Sequence, residues 1–170
     1  MSLPAIAFVG LGGNLGDAAV TVRAAIDALG RLPDTRLHSA SRLYRTPAWG
    51  LEKQPDFINA VARLETGLAA PALLDVLLET ERGFGRQREP GLRWGPRTLD
   101  LDLLLHGEQV LDQPGLRLPH PHLHERAFVL VPLLDLAPDL HIPGHGPARD
   151  LLRKLDASAI EPLGSPPLES

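Results

Sequence analysis

An apolar run that contains two aspartates constrains the fold of this chain more than any other stretch. Residues 98–105 have the pattern of a buried strand, in which side chains point alternately to the two faces of a sheet. Two carboxylates on one face repel each other and lose hydration, so they require positive charge nearby. An arginine such as Arg97 and a divalent metal ion are the alternatives. The alternation places four leucines on one face and the carboxylates on the other: Leu99, Leu101, Leu103 and Leu105 against Asp100 and Asp102.

The charge distribution indicates a small anionic ligand. The chain has a net charge of −4, which disfavours nucleic acid and membrane surfaces as partners. Five arginines nevertheless fall between positions 82 and 97, directly before the aspartate strand. Because arginine binds carboxylate and phosphate groups through paired N–H donors, this local cluster favours a small anion over a polyanion.

Length and composition predict a single soluble domain. The 170 residues are 44% hydrophobic and 22% charged, which suits one packed core. We expect one domain over residues 1–163 and a flexible tail at 164–170. The sequence contains no cysteine, which excludes disulfides, thiolate metal sites and cysteine nucleophiles. It has no apolar run long enough to cross a bilayer and no basic leader, so we expect a cytoplasmic protein.

The order of the elements indicates the fold class. A β-α-β-β-α-β order predicts a ferredoxin-like α+β sandwich, with a mainly antiparallel sheet and helices on one face. The first strand and the aspartate strand would then be central neighbours. Periodicity and turn residues predict strand 5–9, a glycine-rich turn at 10–17 with Asn14 or Asp17 as helix cap, helix 18–32, strands 35–45 and 57–65, helix 71–82 and the aspartate strand. Further on, they predict a hairpin near 110–112, a helical segment at 127–137 interrupted by Pro132, a short edge strand at 140–142 and a helix at 148–155.

Several other features are candidates for ligand contact. Long loops at 46–55 and 83–95 are of a length that is often functional. Phe57 and Asn59 share a strand face, so they could stack on a flat heterocycle and read its edge, or they could be a core ring and a strand-edge amide. Glu81 extends the apolar stripe of its helix and needs either an arginine or a ligand as its partner.

Three histidines at 120, 122 and 124 raise the possibility of a metal site. The neighbouring Pro119 and Pro121 oppose the regular strand that would align all three side chains. On a helix only the first and the last would align. A histidine metal site is therefore the less favoured interpretation.

Four motifs together carry a resemblance to a known family. They are Arg-Trp-Gly-Pro-Arg-Thr-x-Asp-x-Asp at 93–102, Tyr-Arg-Thr-Pro at 44–47, Asp-Phe-Ile-Asn at 56–59 and Pro-His-Pro at 119–121. In their order along the chain they resemble the hydroxymethyldihydropterin pyrophosphokinases of folate biosynthesis, and the likeness extends from residue 5 to about residue 143. The resemblance implies a ferredoxin-like catalytic domain that transfers pyrophosphate from ATP to 6-hydroxymethyl-7,8-dihydropterin and releases AMP.

The resemblance also implies roles for individual residues. Asp100 and Asp102 would hold two Mg²⁺ ions that bridge the ATP phosphates, in keeping with the preference of Mg²⁺ for oxygen ligands. Arg86 and Arg97 would stabilise transition-state charge. The remaining ATP contacts would be Glu81, Arg88, Arg93, Trp94, Leu103, His120 and Arg126. The pterin contacts would be Thr46, Pro47, Trp49, Phe57, Asn59 and Phe128.

The chain departs from the family pattern at a few positions, and other functions remain as alternatives. Leu78, Gly115 and Arg117 stand where some members carry other ATP-contacting residues, and Phe57 stands where tyrosine is frequent. The partners implied are the two substrates, without nucleic acid or membrane, and the chain would be a monomer. Another magnesium-dependent nucleotide transferase or hydrolase is the second interpretation. A non-catalytic ligand-binding module of the same fold is the third, although such a module would not need both the aspartates and the arginine loop.

Overall fold

The computed structural model describes residues 4–47, 55–85, 98–163 and 168–169. Within them, none of the helices has the length and apolar character needed to span a bilayer. The elements in chain order are β1 (Ala5–Gly13), α1 (Ala18–Leu29), β2 (Thr35–Ala40), β3 (Leu43–Thr46), β4 (Phe57–Thr66), α2 (Ala70–Gly83), β5 (Asp100–His106), β6 (Leu111–Gln113), β7 (Leu116–Leu118), a 3₁₀ helix (Leu123–Glu125), α3 (Ala127–Leu136), β8 (His141–Ile142), β9 (Gly146–Pro147), α4 (Ala148–Arg153), β10 (Glu161–Leu163) and β11 (Leu168–Glu169).

The main sheet is antiparallel throughout the described pairings and confirms the predicted α+β class. Its strand order is β10-β3-β4-β1-β5, and β2 pairs with β4 beside β3. The first strand and the aspartate strand are neighbours, as predicted. Among the strands that the structure describes, β5 is at the end of the order, so the prediction that the aspartate strand is central is wrong. Its outer edge is therefore open to contacts from α2 and from the segment that follows β7.

Helices cover both faces of the sheet, whereas the sequence predicts them on one. The first face packs against α1 and α2 through a large apolar cluster that includes Val9, Ile26 and Leu77. The second face packs against α3 and α4 through a smaller cluster that includes Phe8 and Leu130. The C-terminal helices thus add a layer to the ferredoxin-like core. Between the two faces, the second is the one on which the candidate site lies.

The single strand predicted at 35–45 is wrong, because the chain forms two strands separated at Ser41. The Ser41 backbone N–H donates to the Val61 carbonyl at 2.8 Å. The Ser41 hydroxyl in turn accepts the Val61 N–H at 2.9 Å, in place of a backbone carbonyl. Because the Ser41 hydroxyl takes the place of a backbone carbonyl here, one part of β4 pairs with β2 and the other part pairs with β3.

A β-bulge in β5 corrects the predicted alternation. Val9 pairs with Leu103 but Phe8 pairs with Leu105, so Leu104 is an extra residue opposite β1. Leu104 and Leu105 both pack in the cluster under α3, while Leu103 remains in the cluster under α1 and α2. The prediction that Leu105 shares the leucine face is therefore wrong, while Asp100 and Asp102 retain their common face.

The glycine-rich segment is mainly strand, because β1 continues to Gly13 instead of ending at the predicted residue 9. The predicted cap is confirmed at Asp17, whose side chain accepts the Val20 N–H. The helix at 127–137 is one element, although the sequence predicts an interruption at Pro132. Residues 164–170, expected to be a tail, include β11, which pairs with β2 at Ala40 and Ser39.

Candidate functional site

Two rows of paired residues cross the second face of the sheet. The first row is Asn59, Gly12 and Asp100, contributed by β4, β1 and β5. The second row is Val61, Gly10 and Asp102. The middle strand supplies glycine in both, so no side chain stands between Asn59 and Asp100. Two strand spacings separate these residues by about 10 Å, which is room for a substrate lying over β1.

The Asn59 amide is held in a fixed orientation beside this gap. Its Nδ2 donates to the Thr46 hydroxyl at 3.0 Å, and the residue is only 8% exposed. Its Oδ1 faces Gly12, where an added Cβ would lie 2.7 Å away. Glycine at position 12 is therefore what allows the amide oxygen to stand over β1. The sequence interpretation of these glycines as a turn misses this role.

Two aromatic side chains belong to this face of the sheet, Phe57 on β4 and Phe128 on α3. Phe57 pairs with Thr46 and is partly exposed, and Pro47 follows at the exposed end of β3. Phe128, also partly exposed, is in the first turn of α3. The guanidinium carbon of Arg126 lies 5.7 Å from the Phe128 ring centroid. Of the described residues that the family resemblance assigns to the pterin, Thr46, Phe57 and Asn59 thus share the second face of the sheet, and Phe128 packs against the apolar cluster on that face.

Asp100 and Asp102 occupy the other end of the two rows. They lie on one face of β5, about 7 Å apart along the strand, and both are partly exposed. Gly10 and Gly12 beside them present no side chain. Hard carboxylate oxygens in this arrangement, open to solvent, suit Mg²⁺ ions whose remaining ligands are phosphate and water oxygens. The chemistry of the donor set therefore fits the predicted metal ions.

Glu81 supports the aspartate strand from its open edge. Its side chain is 1% exposed, and Oε2 accepts the Leu101 backbone N–H at 2.7 Å. The sequence predicts an arginine or a ligand as the partner of this carboxylate, whereas one partner seen here is a backbone amide. Because Leu101 lies between the two aspartates, this bond fixes the backbone that carries both.

His120 is a neutral hydrogen-bond donor at the same edge. Its backbone N–H donates to the Leu104 carbonyl at 3.0 Å. Burial, reinforced by the positive charge of Arg126, lowers the pKa of His120 from 6.5 to about 4. Nδ1 accepts the His122 backbone N–H at 3.2 Å, so the ring proton is on Nε2. An imidazole in this form can donate from Nε2 to a ligand oxygen.

The other two histidines of the predicted trio have different partners. His122 contacts Glu125, with 3.2 Å between Nδ1 and Oε2. His124 stacks on His145, with ring centroids 4.1 Å apart. Across the residues that the structure describes, no group of three or more histidine, aspartate or glutamate side chains comes together as a metal site.

A cleft of about 490 Å³ opens at the outer edge of β5. Its apolar wall comes from α2 and β5, and Asp102 connects it to the carboxylate pair. Leu103 and His120 both line it, as do three of the four positions at which the chain departs from the family pattern. Arg117 at its rim pairs with Asp112 at 3.1 Å, and both are exposed. Its lining includes Leu74, Leu78, Leu103, Gly115, Arg117 and His120.

Part of the predicted site lies outside the described residues. This part comprises Trp49 and the arginine loop with its tryptophan: Arg86, Arg88, Arg93, Trp94 and Arg97. Sequence reasoning also missed two contributions in the described part. Gly10 and Gly12, at alternate positions, carry the signal of a close approach to a strand. The contact between Tyr44 and Asp135 had no local signal, because it joins residues 91 positions apart.

Fold and site together define a class of protein. This α+β sandwich has paired carboxylates beside an apolar cleft, an amide about 10 Å away and stacking side chains on the same face. Such a site is suited to join a metal-bound nucleotide to a flat heterocycle. The model of the 7,8-dihydro-6-hydroxymethylpterin-pyrophosphokinase (HPPK) family matches residues 8–138. The chain belongs to this family, and it is an ATP-dependent pyrophosphokinase of folate biosynthesis.

Individual relatives agree with this assignment. The chain is 51% identical over 156 residues to a 2-amino-4-hydroxy-6-hydroxymethyldihydropteridine pyrophosphokinase of Pseudomonas aeruginosa, covering 92% of this chain and 95% of that protein. It is 47% identical to the enzyme of the same name from Methylorubrum extorquens, covering 91% and 96% of the two chains.

Solved structures support the fold. A crystal structure of HPPK-DHPS in complex with substrates superposes with a TM-score of 0.70 at 12% identity, over 90% of this chain and 43% of that one. The Plasmodium falciparum wild-type HPPK-DHPS gives a TM-score of 0.65 at 15% identity, over 89% and 41%. The chain thus spans less than half the length of these two structural relatives.

Proposed function

We propose that this chain transfers the pyrophosphoryl group of ATP to the hydroxymethyl oxygen of 6-hydroxymethyl-7,8-dihydropterin across the row formed by Asn59, Gly12 and Asp100. The products are the pterin diphosphate and AMP. The observation that carries the proposal is this row, in which an oriented amide faces a carboxylate across a strand position without a side chain. The geometry favours two ligands side by side over β1, one held at each end.

For the nucleotide, we propose that the base occupies the cleft at the outer edge of β5. Leu74, Leu78 and Leu103 give it an apolar wall suited to a flat ring. The phosphates then extend along β5 toward Asp102, which borders the same cleft. His120 donates from Nε2 to an oxygen of the nucleotide, and Arg126 and the arginines of loop 83–95 contact the phosphates. Glu81 acts here through the Leu101 amide, as a support for the aspartates.

For the pterin, we propose a stack between Phe57 and Phe128, with Asn59 hydrogen-bonded to the ring edge. The partial exposure of both rings supports this arrangement. The Asn59 Nδ2 proton that does not bond Thr46, and the Oδ1 over Gly12, form a donor–acceptor pair that matches the edge of an amide-like heterocycle. Thr46 and Pro47 border the same edge, and the family resemblance assigns Trp49 to the pterin as well.

The chemistry needs positioning and charge compensation more than a covalent nucleophile. Two Mg²⁺ ions held by Asp100 and Asp102 would neutralise charge on the triphosphate and polarise the transferred group. Arg86 and Arg97 stabilise the charge that develops in the transition state, and Trp94 covers the nucleotide. The oxygen of the pterin hydroxymethyl group bonds to the β-phosphorus as the bond between that phosphorus and the α-phosphate oxygen breaks. AMP leaves with that oxygen, and the hydroxyl proton passes to a carboxylate or to water. We further propose that the chain works as a monomer in the cytoplasm and that residues 1–163 form its catalytic domain.

The experiment compares Asp100→Asn and Asp102→Asn with the wild type in AMP formation from ATP, Mg²⁺ and the hydroxymethyldihydropterin. We expect each variant to remain folded by circular dichroism and to lose roughly 10³-fold or more in turnover. Glu108→Gln, which removes an exposed carboxylate just beyond the far end of β5, is the matched control and keeps normal turnover. Near-normal turnover in both aspartate variants would contradict the assignment of the metal ligands.

A further inference from the structure

One helix forms a wall of the proposed pterin site, and it is attached to the sheet in two ways. Val129, Leu130 and Leu133 of α3 are buried in the apolar cluster on the second face. Apolar burial is strong but non-directional, so it leaves the helix some freedom to slide over the sheet. At the last turn of α3, Asp135 makes a directional attachment. Its Oδ2 accepts the Tyr44 hydroxyl at 2.6 Å and the Arg42 backbone N–H at 3.3 Å.

Tyr44 connects this attachment directly to the pterin-facing strands. It pairs with Asn59 across β3 and β4, and Thr46, two residues further along β3, pairs with Phe57. All four residues therefore share the sheet face that α3 covers. Tyr44 is only 4% exposed. Burial, together with the hydrogen bond to Asp135, raises the pKa of Tyr44, so its hydroxyl remains a donor at any physiological pH.

The geometry of the helix links Asp135 to the opposite end of α3. Phe128 and Asp135 are seven residues apart, which is about two turns, so they lie on nearly the same side of the helix. The separation along the axis is about 10 Å. If the distance between β3 and the Asp135 end of α3 changes, the whole helix tilts or shifts and moves Phe128 with it. The gap between Phe128 and Phe57, the two proposed stacking rings, changes with it.

We propose that Tyr44 and Asp135 are positioning residues for the pterin, because their hydrogen bond sets the distance of α3 from β3 and thereby the width of the slot between Phe57 and Phe128. The inference deepens the proposed function and rests on its assignment of the pterin to this slot. Neither residue touches the substrate in this account. Their effect falls mainly on the pterin, because the nucleotide cleft lies at the other edge of the sheet, against β5, and α3 contributes only its N-cap residue Arg126 to the proposed phosphate contacts.

The test measures the Kd of 6-hydroxymethylpterin and of a non-hydrolysable ATP analogue by calorimetry, with each ligand titrated into full-length protein. Tyr44→Phe removes the hydroxyl while keeping the ring. We expect the pterin Kd to rise roughly threefold to tenfold and the nucleotide Kd to stay within about twofold. Asp135→Asn retains an acceptor oxygen and gives a smaller rise than Asp135→Ala. Tyr44→Phe with Asp135→Ala weakens pterin binding by less than the product of the single effects, because both remove the same bond.

Thr35→Val is the matched control for a general loss of stability. It removes the 2.8 Å bond between the Thr35 and Thr66 hydroxyls, at the far end of β4 from Phe57, and leaves a β-branched side chain. The inference is overturned if Tyr44→Phe weakens pterin binding no more than Thr35→Val does, or if it weakens both ligands equally. A wild-type protein that binds no pterin would instead refute the proposed function, and this result is separate because it appears before any variant is compared.

Discussion

The glycine at position 12 gives the sharpest test of how the proposed pterin site is built. An added methyl group there would lie 2.7 Å from the Asn59 Oδ1, far inside ordinary contact distance. Asn59 is buried and bonded to Thr46 at 3.0 Å, so an outward shift of several tenths of an ångström disturbs that bond and moves the proposed pterin-reading group. Overpacking of this kind costs about 1–3 kcal/mol, of which the hydrogen bond accounts for about 1.

We expect Gly12→Ala to weaken binding of 6-hydroxymethylpterin by roughly tenfold or more, since each 1.4 kcal/mol corresponds to a factor of ten. Gly10→Ala is the matched control, because the added Cβ meets Leu104 at an ordinary 3.5 Å. Gly10 occupies the neighbouring row on the same face, so the two variants differ mainly in whether Asn59 must move. Calorimetric titration of both variants checks this. Wild-type pterin affinity in Gly12→Ala would refute the reasoning.

Three further predictions follow from individual contacts. Glu81→Leu removes the acceptor of the buried Leu101 N–H, and we expect it to lower the free energy of unfolding in urea by about 2 kcal/mol. Glu81→Gln keeps an acceptor oxygen and lowers the free energy of unfolding by less. Equal losses in the two variants would contradict this prediction. The pKa of His120 is about 4 in the folded protein, against a reference value of 6.5 for the unfolded chain. Between these two values the unfolded chain binds more protons, so the free energy of unfolding falls as the pH falls from 6.5 to 4. Relative to His120→Asn, the wild type therefore loses about 2 kcal/mol between pH 7.5 and 4.5, and a pH-independent difference would count against a neutral His120. Asp17→Ala removes the N-cap of α1 and lowers stability by about 1 kcal/mol in the same assay, which an unchanged denaturation midpoint would exclude.

The sequence is most informative where periodicity and packing agree. In β4 the alternation separates Ile58 and Ala60 from Phe57 and Asn59, and the structure confirms this separation. The helix at 71–82 is also confirmed as α2, with Leu77 and Glu81 of the predicted stripe buried, while Leu74 and Leu78 line the cleft. In both elements the local pattern and the tertiary contacts favour the same structure.

The failures occur where tertiary pairing decides the outcome. The face of Leu105 depends on a β-bulge, which is a shift in the register between β1 and β5, and no local pattern in β5 predicts it. The break at Ser41 depends on a bond to Val61, twenty residues away. The extension of β1 through its glycines overrides the usual preference of glycine for turns, because β4 and β5 pair with it on both sides.

The candidate site was predictable as residue types but not as a geometry. Motif resemblance names Asn59 and Asp100, and strand alternation gives each a face. Their placement in one row depends on the strand order, which brings β4, β1 and β5 side by side. The empty position between them depends on register, because Gly12 pairs with both residues. The Tyr44–Asp135 contact likewise emerges only when α3 is placed on the sheet.

The fate of the β-phosphorus of ATP distinguishes the transfer of a pyrophosphoryl group from other reactions of the nucleotide. Phosphorus NMR of a reaction containing the wild-type protein, ATP, Mg²⁺ and 6-hydroxymethyl-7,8-dihydropterin distinguishes the possible products. The account predicts AMP and a pterin diphosphate, with both the β- and γ-phosphorus on the pterin. ADP with a pterin monophosphate, or ADP with free phosphate, would contradict it.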